Sequence, residues 1–206
     1  MAQPIRLEFE QRMSRHPIRA AGALATSLVL LTACGGKSGT AEPPATTGST
    51  VDPSLKVATP LRTQALVGDP CTAIGDSDST AIGLAMPGKR MQQSSLSGCQ
   101  WLSSQFVQNS VGIIPVTLNK HGLSDIYAQK DQQAYFEPFS LDGYPAAYAS
   151  KSDDRGHGTC NLYVGVTDRL AVGVSAIIGT GKYRNTPCDA AKLVASAMVN
   201  HLKTGS

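Results

Sequence analysis

Hydrophobic positions after residue 60 recur with two periods. Over 188–203, Ala191, Val194, Ala195, Met198, Val199 and Leu202 return at helical spacing, which places them on one face of a helix. His201 and Lys203 stand near its end, where cations suit the helix dipole. Elsewhere the period is two. Cys160, Leu162, Val164 and Val166 alternate with Asn161, Tyr163, Gly165 and Thr167; after Asp168-Arg169, Leu170, Val172, Val174, Ala176 and Ile178 continue the alternation. The pattern predicts a hairpin with one buried face.

Weaker alternation predicts strands over 97–104, over 111–118 and over 144–150, and Leu123, Ile126, Tyr127 and Lys130 predict a short amphipathic helix between the two halves. Asp69-Pro70-Cys71 and Thr186-Pro187-Cys188 each set a capping residue before Pro and then Cys, the signature of a helix start with Pro at the first helical position. The element order is αββαβββα. Hairpin-connected strands with intervening helices predict an α+β domain, an antiparallel sheet with helices on one or both faces.

Before residue 61 the pattern changes character. Arg6, Arg12, Arg15 and Arg19 precede an uncharged run over 20–31 that closes on small residues, the layout of a secretory leader. The run is 12 residues long, short of the roughly 20 that a membrane-spanning helix needs. Its end, Leu31-Thr32-Ala33-Cys34-Gly35, resembles the lipobox of bacterial lipoproteins. That resemblance implies a diacylglycerol on the Cys34 thiol, cleavage before Cys34, and acyl chains holding the protein to the outer face of the cell membrane. Two or more chains hold stably where one binds marginally. From 35 to 60 the chain is rich in Gly, Ser, Thr and Pro and nearly free of large apolar side chains, which predicts a disordered tether. Three parts follow: a signal peptide over 1–33, a lipidated Cys34 with tether over 34–60, and one globular domain over 61–206 of about 145 residues.

Charge changes with this division. The chain carries 18 basic and 15 acidic residues, of which four Arg and two Glu precede Cys34, leaving 14 and 13, or +1. The remaining domain has no basic run to follow a phosphate backbone, so nucleic acid is not an expected partner.

Cys71, Cys99, Cys160 and Cys188 form an even set, and in an exported chain two disulfides are expected, with three connectivities open. Cys71 with Cys99 and Cys160 with Cys188 is favoured, because each pairs a helix start with a strand and both separations equal 28 residues. Zinc sites use closely spaced cysteine pairs, which are missing here.

Asp69-Pro70-Cys71 opening a helix, Gly98-Cys99-Gln100-Trp101 on a strand, Gly143-Tyr144-Pro145-Ala146, the Cys160 strand and Thr186-Pro187-Cys188 opening a last helix together resemble actinobacterial lipoproteins of domain-of-unknown-function family 3558. The resemblance spans the lipobox and nearly all of the folded region. It implies export, lipidation and paired cysteines, and it brings no catalytic residues with it.

Several fragments look like chemistry and fail a physical test. Asp76-Ser77-Asp78-Ser79-Thr80 matches a phosphatase D-x-D-x-T but lacks the preceding buried strand, and it lacks the Gly and closing Glu of a calcium loop; it reads as a polar helix face. Gly179-Thr180-Gly181-Lys182 looks like the end of a P-loop, but Ala176 stands where its first Gly belongs and Tyr183 where its hydroxyl belongs. Ser175 lies mid-strand without the second Gly of a nucleophile elbow. His157 with Asp153 and Asp154, on a Gly-flanked loop, is the best remaining candidate for metal or acid-base work. His121 reads as a turn residue and His201 as a helix end. Trp101, beside Cys99, is expected in the core. Tyr127, Tyr135, Phe136, Phe139, Tyr144 and Tyr148 are core if buried, and a protein or ligand groove if exposed.

These observations favour a noncatalytic binding or accessory lipoprotein of the bacterial cell envelope, acting on another envelope protein and using no cofactor or metal. The alternative is a carrier or receptor of a small apolar or lipid ligand; an envelope hydrolase ranks last.

Overall fold

The structure is a computed structural model that describes residues 51–205. The expected leader, Cys34 and most of the expected tether lie outside the described residues. Seven strands build one sheet: β1 (Lys89–Gln93), β2 (Leu96–Leu102), β3 (Ser110–Pro115), β4 (Tyr135–Leu141), β5 (Tyr144–Ser150), β6 (Thr159–Thr167) and β7 (Leu170–Ile177). All neighbours are antiparallel, in the order β1-β2-β3-β7-β6-β5-β4. The described helices are α1 (Gln64–Gly68), α2 (Asp76–Ala81), α3 (Leu123–Tyr127) and α4 (Pro187–Thr204).

The last helix forms where its apolar spacing places it. Pro187 occupies the first turn, and Gly205 ends the helix at φ +75°, a left-handed conformation that costs glycine least. Its buried positions include Ala191, Val194, Ala195, Met198, Val199 and Leu202, and they join the core of the sheet. Cys99, Ile113, Val174 and Leu162 stand side by side across four strands of that face, each no more than 1% exposed. Each such side chain contributes about 1.5–3 kcal/mol by leaving water. On the opposite face Leu123 and Ile126 of α3 pack with Leu55 and Ala171.

The 159–177 hairpin also forms as its alternation predicts, with one irregularity. Register shifts between Gly165 and Thr167, and such an extra residue leaves a backbone group without a ladder partner. Here the Val166 carbonyl accepts from the Leu61 amide at 2.9 Å. At the start of the hairpin Gly158 takes φ +85°, and a Cβ there would run into the Ile178 carbonyl oxygen. Two disulfides, Cys71–Cys99 and Cys160–Cys188, tie the turn after α1 to β2 and the first turn of α4 to β6.

Four expectations are corrected. Asp69-Pro70-Cys71 does start a helical turn, and the Asp69 carboxylate accepts from the Cys71 amide at 3.0 Å. The turn, however, is 3-10 and stops at Thr72; Gly75 is extended, and a separate α2 begins after it. β1 and β4 were not expected, and 111–118 contracts to end at Pro115, with one further bond from the Val116 amide to the Ala171 carbonyl at 2.9 Å. The ordered domain begins before residue 61: Leu55 and Val57 are buried, and the Val57 amide donates to Asp168 Oδ1 at 2.8 Å. Two well-placed apolar side chains anchor this stretch, although its average composition is that of a linker.

Candidate functional site

The loop carrying His157 is built around an arginine. Arg155 holds Asp153 through Nε and Nη2 at 2.8 and 2.7 Å, reaches Glu137 Oε1 at 2.7 Å, and lies over the Tyr135 ring at 4.1 Å. Hydrogen bonding to Arg155 lowers the pKa of Asp153 below the usual carboxylate value, which suits an ion-pair anchor and not a general acid. Asp154 Oδ2 accepts from the Ser152 hydroxyl at 2.6 Å, and His157 is exposed. The structure therefore turns the two carboxylates to different partners and does not join them with the imidazole.

Other sequence candidates have structural places. His121 Nδ1 lies 3.1 Å from Asp125 Oδ1, and the other Asp125 oxygen accepts from the Lys120 and His121 amides, shaping the turn into α3. Asp76 and Asp78 lie in the first turn of α2. His201 packs against Gly75, where an added Cβ would meet Nδ1 at 3.1 Å. Ser175 is mid-strand in β7. Trp101 is 1% exposed, and a Cβ on Gly88 would meet both its ring and the Cys99 sulfur. Phe139 stacks on Tyr148 at 4.5 Å and Tyr127 meets Phe136 edge-on at 4.7 Å; Tyr135 and Tyr144 are buried. The aromatic-rich stretch thus serves packing.

The apolar surface lies in a loop that the sequence did not single out. β2 ends at Leu102 and β3 begins at Ser110; the loop between them carries Phe106 and Val107, 39% and 78% exposed. Ser103 Oγ accepts from the Gln105 and Phe106 amides, and the Asn109 amide donates to the Phe106 carbonyl at 2.8 Å. Asn109 also stitches this loop to Gly179-Thr180: its Oδ1 accepts from both amides and its Nδ2 donates to the Thr180 carbonyl. Backbone that is bonded in this way displays Phe106 without having to order it on binding.

Phe106, Ile82, Leu84, Tyr183, Leu193 and Val194 line a cleft of about 360 Å³ between this loop, the segment after α2 and the first turns of α4. Lys182, whose ammonium lies 5.0 Å from the Tyr183 ring, stands at its margin. Six of the eight large hydrophobics exposed among the described residues belong to this end: Met86, Leu102, Phe106, Val107, Ile177 and Leu193. Leu102 and Ile177 occupy one cross-strand row through Ser110, on the face away from α4 and the cleft, and Met86 follows Ala85, whose amide donates to the Leu102 carbonyl.

The chain comes in at the other end. The Asp52 amide donates to Ser124 Oγ at 2.9 Å, and Val57 is held by Asp168 in the β6–β7 turn. β6 separates the two ends with nine residues, a length of roughly 30 Å.

Among the described residues no helix is long and apolar enough to cross a membrane, and no group of three His, Cys, Asp or Glu side chains is placed to hold a metal. No curated protein and no solved structure matches the chain. The family model described as protein of unknown function (DUF3558) matches residues 29–201, a span that runs from before Cys34 to the last turns of α4. The chain belongs to the DUF3558 family.

Proposed function

We propose that this is an exported lipoprotein, anchored through Cys34 to the outer face of the cell membrane, and that its domain is a noncatalytic binding module. The cleft beside Phe106 receives an apolar cluster of a partner protein of the envelope. The observation that carries this reading is the concentration of exposed hydrophobics at the end of the sheet opposite the incoming chain. A tether leading to that incoming end would hold the cleft away from the bilayer. Phe106 and Leu193 are the members of this set that line the cleft, and exposed apolar side chains grouped at one site mark interaction surfaces. Two disulfides accord with an oxidising compartment, and the family's matched span includes Cys34.

In-cell crosslinking of the full-length protein, with Cys34→Ala and Phe106→Asp as controls, tests the reading. A recurrent partner is expected with the native chain and lost in both variants. A partner retained by Phe106→Asp contradicts the assignment to the cleft, and one retained by Cys34→Ala contradicts the dependence on the anchor.

A second reading follows from the cleft itself. Its volume lies low in the range of small-molecule sites and its walls are largely apolar, which favours a carrier or receptor of a small apolar ligand. Native mass spectrometry of protein from its own host distinguishes the two: a bound species displaced by Leu193→Asp supports the carrier, and an empty protein rejects it.

A further inference from the structure

The sheet face opposite α4 is only partly covered. α3 packs over Ala171 beside Tyr163, while the centre of the face stays open as a groove of about 480 Å³. Its floor is formed by two cross-strand rows, Gly112-Ser175-Asn161 and Ile114-Gly173-Tyr163. Its walls come from the β1–β2 turn, the segment after β3, and the end of α3.

Three observations define what this groove would accept. No side chain lining it is ionised at neutral pH: Gln93, Ser94, Asn119, Gln129, Asn161 and Ser175 supply neutral amides and hydroxyls, and the remaining walls are apolar apart from the Tyr163 phenol. Burial raises the Tyr163 pKa, so its hydroxyl stays protonated. A charged ligand would find no counter-charge, and a purely apolar one would leave the amides desolvated and unpaired. Secondly, Asn119, whose Nδ2 is buried and has no hydrogen-bond partner among the described residues, belongs to the groove wall. Thirdly, Gly112 and Gly173 stand inside strands, where glycine is a poor choice unless something approaches the backbone closely. A Cβ on Gly112 would touch Met91 Sδ at 3.7 Å, an ordinary contact distance, so a methyl fits there and a larger side chain would cover the floor. The Tyr163 ring lies against Gly173, 3.2 Å from where its Cβ would be.

Neutral amides that both donate and accept, beside an aromatic ring and aliphatic walls, suit vicinal hydroxyls on an uncharged ring with apolar C–H faces. We propose that this groove binds a short neutral saccharide, either a free oligosaccharide or the end of a glycan chain. The site is separate from the cleft beside Phe106 and does not depend on the lipid anchor.

The test uses the full chain with its disulfides intact, titrated calorimetrically with maltotetraose, cellotetraose and mannotetraose, and with a sialylated trisaccharide as charged control. Pull-down on the corresponding insoluble polysaccharides forms a second arm. At least one neutral sugar is expected to bind in the weak range of about 0.1–1 mM, or to retain the protein as polymer. Solution binding assigns a free oligosaccharide and retention on polymer alone assigns a glycan chain end. Gly112→Leu, which fills the floor, and Asn119→Ala should each weaken binding by about tenfold or more, while Phe106→Asp leaves it unchanged. Each variant is checked for native thermal unfolding, and Ser175→Leu stands in if Gly112→Leu does not fold. No binding by any neutral sugar or polymer, equal binding of the charged sugar, or binding that survives both floor-filling variants overturns the proposal.

Discussion

The two ends of the sheet are built from the same strands and finished in opposite ways. At the β6–β7 turn the incoming chain closes the end: Leu55 and Val57 are buried, and Asp168 and the Val166 carbonyl take the Val57 and Leu61 amides. At the other end the β2–β3 loop is equally well bonded, through Ser103 and Asn109, yet it holds Phe106 and Val107 out to water. Hydrogen bonding therefore does not separate the two; what they do with apolar side chains does. A loop that is ordered by its own polar groups, and still exposes its hydrophobics, is what the proposed docking of a partner requires.

The comparison breaks most severely if the cleft loses its wall. Replacing Cys160 and Cys188 together by Ala releases the first turn of α4 from β6. A loop of 28 residues predicts a loss of about 3–4 kcal/mol, measurable by denaturant unfolding, and partner capture should fall with it. Asp168→Ala acts at the closed end. It strands the Val57 amide, at a cost of about 1–3 kcal/mol, and should speed hydrogen exchange over residues 52–61 without changing partner capture.

Phe106→Asp acts at the other end. Its side chain is 39% exposed and its ring lies against Gly181, so losing the covered part should cost about 1–2 kcal/mol of stability, while partner capture is lost. Smallest of all is an effect of pH on the loop beside β6. Asp153 has its pKa lowered chiefly by the hydrogen bond from Arg155. A depressed carboxylate adds stability above its ordinary value of 3.8, and that stability is lost as pH falls through the lower folded value. NMR titration of Arg155→Gln should return Asp153 toward its ordinary value and remove this acid-side dependence, leaving both ends of the sheet otherwise alike.

How much of this was legible in the sequence differs by element. α4 and the β6–β7 hairpin bury one full face, so their periods of 3.6 and two stand out. β1 is an edge strand of Lys, Arg, Met and Gln with no buried position, and β4 is the opposite edge, buried only at its two ends, Tyr135 and Leu141, with Pro138 between them; neither carries a continuous alternation that burial could imprint on the sequence. The pairing of cysteines was readable because each joins a Pro-marked turn to a strand. The shared Pro-Cys pair did not predict helix length, since the first turn stops at Thr72 and no apolar stripe follows it, while 188–203 has the apolar stripe to continue. Phe106-Val107 had a signal, two large apolar residues in a polar stretch without period, but it is one that exposure alone makes meaningful. Gly112 and Gly173 were visible as glycines within strand patterns; only the register places them in one groove.

The claim that the far end of the sheet is the binding end is tested most directly by site-specific photocrosslinking in cells. A photoreactive residue is placed at Val107 in one version of the full-length protein and at Lys56 in another. The account expects one recurrent protein adduct from Val107, abolished by Leu193→Asp, and none from Lys56. A partner captured from Lys56 and not from Val107 would place the binding surface at the closed end and contradict it.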